Sequence, residues 1–222
     1  MAIHLACASL RSGESRVALA GGVFASLNNA MLTTLAKTDM LSPSGACHSF
    51  DAAADGTVFS EGVGLVVLKR LADAVADKNP IYGVIHASAI NQDGTSNGIT
   101  APNGSAQEAL IAECYHQHQI QPEQLRYVEA HGTGTKLGDP VEVNALVRAF
   151  KQFTNKTHFC ALGSVKAQIG HTSASAGVIG LIKLMLCLKH KQLPGQVSFQ
   201  QLNPLIELDG SAFYITPDTK RF

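Results

Sequence analysis

The sequence predicts an α/β fold built around a largely parallel sheet. Three observations lead there. Short apolar runs rich in Val, Leu and Ala alternate with longer stretches of helical spacing. Strands separated by helices are joined by crossovers and so pair in parallel. A 222-residue chain with 45% apolar residues is also large enough for a substantial core.

Residues 2–11 read as a buried helix, and RVALAGGV (16–23) as a strand running into paired glycines. GVGLVVLKRL (62–71) is a second strand that passes into LADAVADK, a short helix, and IYGVIHASAI (81–90) is a third strand. SAQEALIAECYHQH (105–118) has helical spacing, and LRYVEA (125–130) is strand-like. Asp139 with Pro140 opens a helix that runs to about Phe153. HFCALGS (158–164) is a further strand; 173–190 is a helix whose end is marked by Lys189, His190, Lys191 and then Pro194–Gly195. No short repeat or low-complexity linker interrupts this order.

Composition narrows the function. Seventeen basic residues balance seventeen acidic ones, so no electrostatic footprint for nucleic acid or an anionic membrane is present. The five cysteines (Cys7, Cys47, Cys114, Cys160, Cys187) are scattered, odd in number and without a C-x-x-C pair. That pattern argues against a disulfide framework or a structural zinc site and predicts a reducing, cytoplasmic setting. No charged-then-apolar leader is expected, and AGVIGLIKLMLCL reads as too short to span a bilayer and carries Lys183.

Two segments carry candidate chemistry. EAHGTGTKLGDPVE (129–142) places His131 at the exit of a strand-like run, and GSVKAQIGH (163–171) places Lys166 and His171 after another. In α/β sheets both belong on one rim, at the carboxyl ends of the strands. The Gly-Thr-Gly-Thr run lacks the spacing of a phosphate loop and of a full G-x-G-x-x-G, so a phosphate cradle is the weaker reading. His171 precedes a long apolar helix, whose positive end would favour neutral imidazole, able to donate one N–H to developing negative charge. Lys166 would set the local charge balance with Glu142, unless Glu142 only completes an Asp139-x-x-Glu142 capping box. His4, His48, His86, His116, His118, His158 and His190 have no supporting context and read as structural.

FDAAADG (50–56), EGVGLVVLKRL (61–71), SAINQDGTSNGITAPNG (88–104), EAHGTGTKLGDPVE and GSVKAQIGHTSASAGVIGLIK (163–183) together resemble the β-ketoacyl synthases of modular polyketide synthases. The resemblance implies a thiolase-like α/β fold, layered α-β-α-β-α and usually dimeric, and decarboxylative Claisen condensation. It assigns His131 and His171 to malonyl decarboxylation and enolate stabilisation, Lys166 and Glu142 to a pair beside them, and Thr133 and Thr135 to hydrogen bonds with a pantetheine arm. The implied partner is an acyl carrier protein bearing phosphopantetheine, with no cofactor in the chain itself, no nucleic acid and no membrane.

The departures shape the expectation. Family members carry the nucleophilic cysteine in a T-A-C-S-S-S-like turn at a helix start, whereas this sequence begins inside the matching helix and places Cys7 on its body. DTKRF stops before a G-F-G-G-like loop, Ser60 stands where Gly is usual, Gln168 where Asn is common, and TSASAG replaces L-E-A-A-A-G. The expected organisation is therefore a remnant of the amino-terminal half over 1–79 and a carboxyl-terminal half over 80–222, an incomplete fold that lacks the nucleophile and is inactive alone. Such a fragment would need a complementary ketosynthase segment or a dimer mate. The alternative is a non-catalytic dimerisation or acyl-binding fragment.

Overall fold

Alternation along two segments builds the first sheet. The computed structural model describes residues 1–28, 30–38, 40–96, 98 and 101–221. After helix α1 (Ala2–Ser12), strand β1 (Val17–Phe24) and, beyond helix α2 (Ala30–Ala36), strand β2 (Gly62–Lys69) pair as a two-stranded ribbon. On one face Ala20 lies opposite Val66, and on the other Leu19 opposite Val67 and Val23 opposite Val63. The ribbon is antiparallel, so the expectation of a parallel sheet fails here. The long excursion between β1 and β2 lets the chain turn back and still pair.

Helix α3 (Leu71–Ala76) follows, then helix α4 (Gly104–Gln117), capped by the Asn103 side chain on the Ser105 and Ala106 amides. The 81–90 run, expected as a strand, joins no ladder among the described residues; Ile81, Tyr82, Val84 and Ile90 stay exposed. Its apolar sequence suits a sheet, but β-structure also needs a neighbour to accept its backbone hydrogen bonds, and none is placed beside it.

Strand β3 (Tyr127–Glu129), helix α5 (Gly138–Lys151) and strand β4 (Cys160–Gly163) form the second unit. Lys166–Ile169 is a single turn, α6; a 3₁₀ turn at Ser173–Ser175 leads into α7 (Ala176–His190). The remaining strands are β5 (Gln192–Leu193), β6 (Phe213–Tyr214) and β7 (Lys220–Arg221). β3, β4 and β6 make a parallel sheet in that order, while β5 pairs antiparallel with β7. β5, β6 and β7 are two residues each, too short to show a period in sequence.

Apolar spacing explains the core. Val143, Leu146, Val147 and Phe150 occupy one face of α5 and pack with Cys160 and Leu162 of β4 and Phe213 of β6. α7 contacts both the ribbon and β3, with Val178 against Ala20 and Val66, and α1 adds Ile3 and Ala6 on the same side. Close approach at the start of α7 depends on Gly22, where a Cβ would lie 2.3 Å from the Ala174 carbonyl oxygen. Ribbon, central helices, parallel sheet and outer helices thus form successive layers. By length and composition alone Ser173–His190, which extends beyond the AGVIGLIKLMLCL run expected to be too short, could cross a bilayer. Here it is the central helix between two sheets.

Candidate active site

The parallel register of β3 on β4 sets Glu129 beside Gly163, so the residues that follow each strand share one rim. Lys166 reaches across it and its Nζ donates to the His131 carbonyl at 2.7 Å; the Ser164 hydroxyl donates to the same oxygen at 3.1 Å. His171 arrives through Gly170 and is clamped by its backbone. Its N–H donates to the Val58 carbonyl at 2.7 Å, and its carbonyl accepts the Ser60 N–H at 3.1 Å. The His131 and His171 rings meet edge to face, 5.2 Å between centres and 87° between planes.

The tautomer of His171 follows from its neighbours. Ser173 N–H donates to Nδ1 at 3.0 Å, and a backbone amide can only donate, so Nδ1 carries no proton and Nε2 carries the proton of the neutral ring. Burial, then the Lys166 charge, pushes the His171 pKa down to about 4. His131 is pushed down to about 3 by the surrounding protein, with Lys166 and then His171 adding to the effect. His131 is nonetheless exposed on one side, and water there weakens the shift, so the chemistry uses only its direction: both imidazoles are neutral. The helix dipole expected to neutralise His171 gives way to burial and Lys166, because a 3₁₀ turn separates the ring from the first turn of α7.

The HGTGT segment is shaped by carboxylates. Glu142 accepts the His131 amide at 2.6 Å and the Gly132 amide at 2.8 Å. Asp139, fully buried, accepts the Phe50 amide at 2.8 Å and the Gly134 amide at 3.1 Å. Gly132 and Gly134 have φ of 44° and 77°, which glycine adopts without strain. With these amides taken by carboxylates, the segment has few left to cradle a phosphate.

Two expectations about Glu142 need correction. It forms no capping box: α5 has Leu137 at its N-cap with no side-chain cap bond. Nor does it form an ion pair with Lys166 among the described residues. The two meet through His131 instead, Glu142 on its N–H and Lys166 on its carbonyl. The Glu142 charge still favours the ammonium, against a burial that pulls the Lys166 pKa down. Burial also pushes the Glu142 carboxyl up, and carries Asp139 up to about 7.

Thr133 and Thr135 lie half-buried on the same loop, their hydroxyls 3.3 Å apart, with Thr135 Oγ1 accepting the Gly138 amide. A cavity of about 290 Å³ is lined by His131 and Lys166 together with Gly177, Leu181 and Leu184 of α7; neither threonine lines it. A hollow of about 420 Å³ near Tyr82 and Leu188 lies away from the histidines. The five cysteines are free, and among the described residues none bonds a histidine ring. Cys7 sits in the body of α1, and Cys47 accepts the Val58 amide at 3.1 Å.

Sequence reasoning missed four side chains here. Phe59 stacks on His171 with ring centres 5.2 Å apart and planes within 9°; Asp139 ties the FDAAADG turn to HGTGT; Glu129 and Lys183 form a buried pair beside the cavity. Only Asp139 and Glu129 left a signal, as acidic residues inside strongly patterned motifs.

With this geometry in view, the comparisons with known proteins are decisive. The model of the β-ketoacyl synthase amino-terminal domain matches residues 1–74, and that of the carboxyl-terminal domain matches residues 82–200. The chain belongs to the β-ketoacyl synthase family. This ketosynthase chain is 48% identical to polyketide synthase PksL of Bacillus subtilis over 98% of its length, which is 5% of that protein. It is 46% identical to a phenolphthiocerol/phthiocerol polyketide synthase of Mycobacterium tuberculosis over 97% of its length and 14% of that protein. Among solved structures, the ketosynthase from module 6 of the Bacillus subtilis bacillaene synthase superposes with a TM-score of 0.97 at 47% identity, covering 99% of this chain and 39% of that one. An oxazolomycin ketosynthase domain from Streptomyces albus gives a TM-score of 0.95 at 41% identity, with coverage of 99% and 39%. The fold is therefore thiolase-like α/β, and this ketosynthase chain spans well under half of the solved ketosynthases it matches.

Proposed function

We propose that this chain is the part of a polyketide ketosynthase that carries the decarboxylation histidines for Claisen condensation of an acyl thioester with a malonyl thioester. The observation behind the proposal is the pair of neutral imidazoles, edge to face at 5.2 Å, with the Lys166 ammonium behind them. In the reaction the bond between the malonyl C2 and its carboxylate breaks and carbon dioxide leaves. The electron pair passes to the thioester oxygen as an enolate, which the proton on His171 Nε2 stabilises, with His131 as the second donor. The enolate carbon then attacks the acyl thioester carbonyl and expels the thiolate that carried the acyl group.

Lys166 and Glu142 hold His131 from its two backbone sides, and burial, with the Lys166 charge adding to it, keeps both rings neutral. Thr133 and Thr135 present hydroxyls for the phosphopantetheine arm of an acyl carrier protein, and the cavity wall of α7 suits its apolar cargo. The chain needs no cofactor of its own, no nucleic acid and no membrane, and a cytoplasmic setting suits its free cysteines.

The nucleophilic thiol comes from a complementary ketosynthase segment, on another polypeptide or on a longer parent chain. Cys7 lies in the body of α1 and not at a helix start, and among the described residues no cysteine bonds either histidine. Residues 1–79 and 80–222 then act as portions of the amino- and carboxyl-terminal halves. The chain alone should form no acyl-enzyme with an acyl thioester, whereas mixing it with a polypeptide bearing the T-A-C turn should restore labelling. Stable acylation of Cys7 in the isolated chain, read by mass spectrometry, refutes this. The exposed apolar face of the ribbon favours a second reading, a dimerisation or acyl-binding fragment, which predicts no labelling in the mixture either.

A further inference from the structure

Two charged side chains that the proposed chemistry does not use lie against the site. Glu129 closes β3 two residues before His131, and Lys183 stands on α7. Their side chains are 6% and 11% exposed, with the charged atoms 2.8 Å apart. Glu129 Oε2 also accepts the Tyr127 hydroxyl at 2.7 Å, and Oε1 accepts the Val165 amide at 2.5 Å. The Lys183 ammonium is 5.4 Å from the centre of the Tyr127 ring. Gly180, about one turn before Lys183, makes room for this arrangement, since a Cβ there would stand 3.2 Å from Glu129 Cγ.

Stability gives no reason for the pair. Removing two charges from water costs about what their attraction returns, and apolar replacements of equal volume are often neutral or stabilising. What the carboxylate does hold is the approach to the site. Val165 precedes Lys166, whose Nζ rests on the His131 carbonyl, and His131 itself follows Glu129 by two residues. One carboxylate therefore fastens both strand exits to the central helix.

We propose that Glu129, held by Lys183 and Tyr127, is a positioning residue: its carboxylate fastens the Val165 turn, keeps Lys166 on the His131 carbonyl and couples α7 to the histidine pair. The proposal rests on reading the two histidines as donors to an enolate. Against the burial that pulls the Lys166 pKa down, Glu142 and then Glu129 face Lys166 with charges that favour its ammonium form.

The test is the double variant E129Q/K183M, which keeps side-chain volume and leaves no unpaired buried charge. In the enzyme reconstituted with the nucleophile-bearing segment, kcat for malonyl thioester decarboxylation falls roughly tenfold to a hundredfold, as for a small misplacement of catalytic groups, while KM stays within about twofold. In the ¹⁵N-labelled chain, the Val165 amide proton, shifted downfield by its charge-assisted bond, moves upfield. Y127F, which removes one support of the carboxylate without a charge change, gives a smaller change of the same sign in both readouts and serves if the double variant does not fold. An unchanged kcat in a folded variant overturns the proposal, as does a raised KM at constant kcat. If the unsubstituted reconstituted enzyme does not decarboxylate, the histidine reading falls by itself. The Val165 resonance then decides alone, and one that does not move overturns the positioning role.

Discussion

The parallel-sheet unit and the ribbon use their apolar residues in opposite ways. Around β3, β4 and β6 the apolar side chains converge on one core, where Val143 is fully buried and Phe150 and Phe213 are each 1% exposed. In the ribbon only the face toward α1 and α7 is covered. Leu19, Val23, Val63, Leu65 and Val67 on the other face are 64% to 72% exposed. Both are β-structure made of Val, Leu and Ala, so composition does not separate them. The difference is whether a second layer lies on each face; His131, Lys166 and Glu142 are fastened within the unit that has one, whereas His171 is tied to the 58–60 segment that leads into the ribbon.

The largest expected effect breaks that unit. Phe150 packs against Phe213 with ring centres 4.5 Å apart and against Tyr115 at 5.7 Å, so Phe150→Ala should destabilise the fold by about 3–5 kcal/mol, measured by denaturant unfolding. A loss below about 1 kcal/mol would show that this core is no better filled than the ribbon face.

Next comes a change that leaves the core intact. His171→Ala in the reconstituted enzyme should lower malonyl decarboxylation on the order of 10²–10³-fold while acyl loading continues, because the Nε2 donor faces the enolate and not the loading step. Equal losses in both half-reactions, measured separately, would make His171 a structural clamp between the 58–60 segment and the 3₁₀ turn.

The smallest effect belongs to the ribbon. Leu65→Ser, on the uncovered face opposite Gly21, should change the stability of the chain by only about 0.5 kcal/mol or less. It should still weaken association with a complementary segment or a second copy, seen by analytical ultracentrifugation. A large loss of stability in the lone chain would mean that this face is already covered, and the contrast between the two units would disappear.

Much of this was legible in the sequence. The helical face of α5, the strand before His131 and the shared rim of His131, Lys166 and His171 all follow from period and order along the chain. Less legible was how the ribbon pairs, since the alternation of β1 and β2 is equally compatible with parallel and antiparallel neighbours. The 81–90 run shows the converse: strand-like residues make a strand only where a neighbour completes the ladder. At the site, the residue types came from the motifs, whereas the His171 tautomer, the meeting of Glu142 and Lys166 through the His131 backbone and the stacking of Phe59 did not.

By itself the sequence determined the helices α1, α3, α4, α5 and α7, the strands β1 to β4 and the residue types at the strand exits, because these depend on local spacing and on chemistry carried by single side chains. Only the tertiary structure decided which charges meet. Glu129 and Lys183 are 54 positions apart and Glu142 and Lys166 are 24 apart, yet one pair closes directly and the other acts through a backbone between them. Electrostatic and hydrogen-bond energies depend on distance in space and on how much water the fold excludes, and neither is written in the order of residues along the chain.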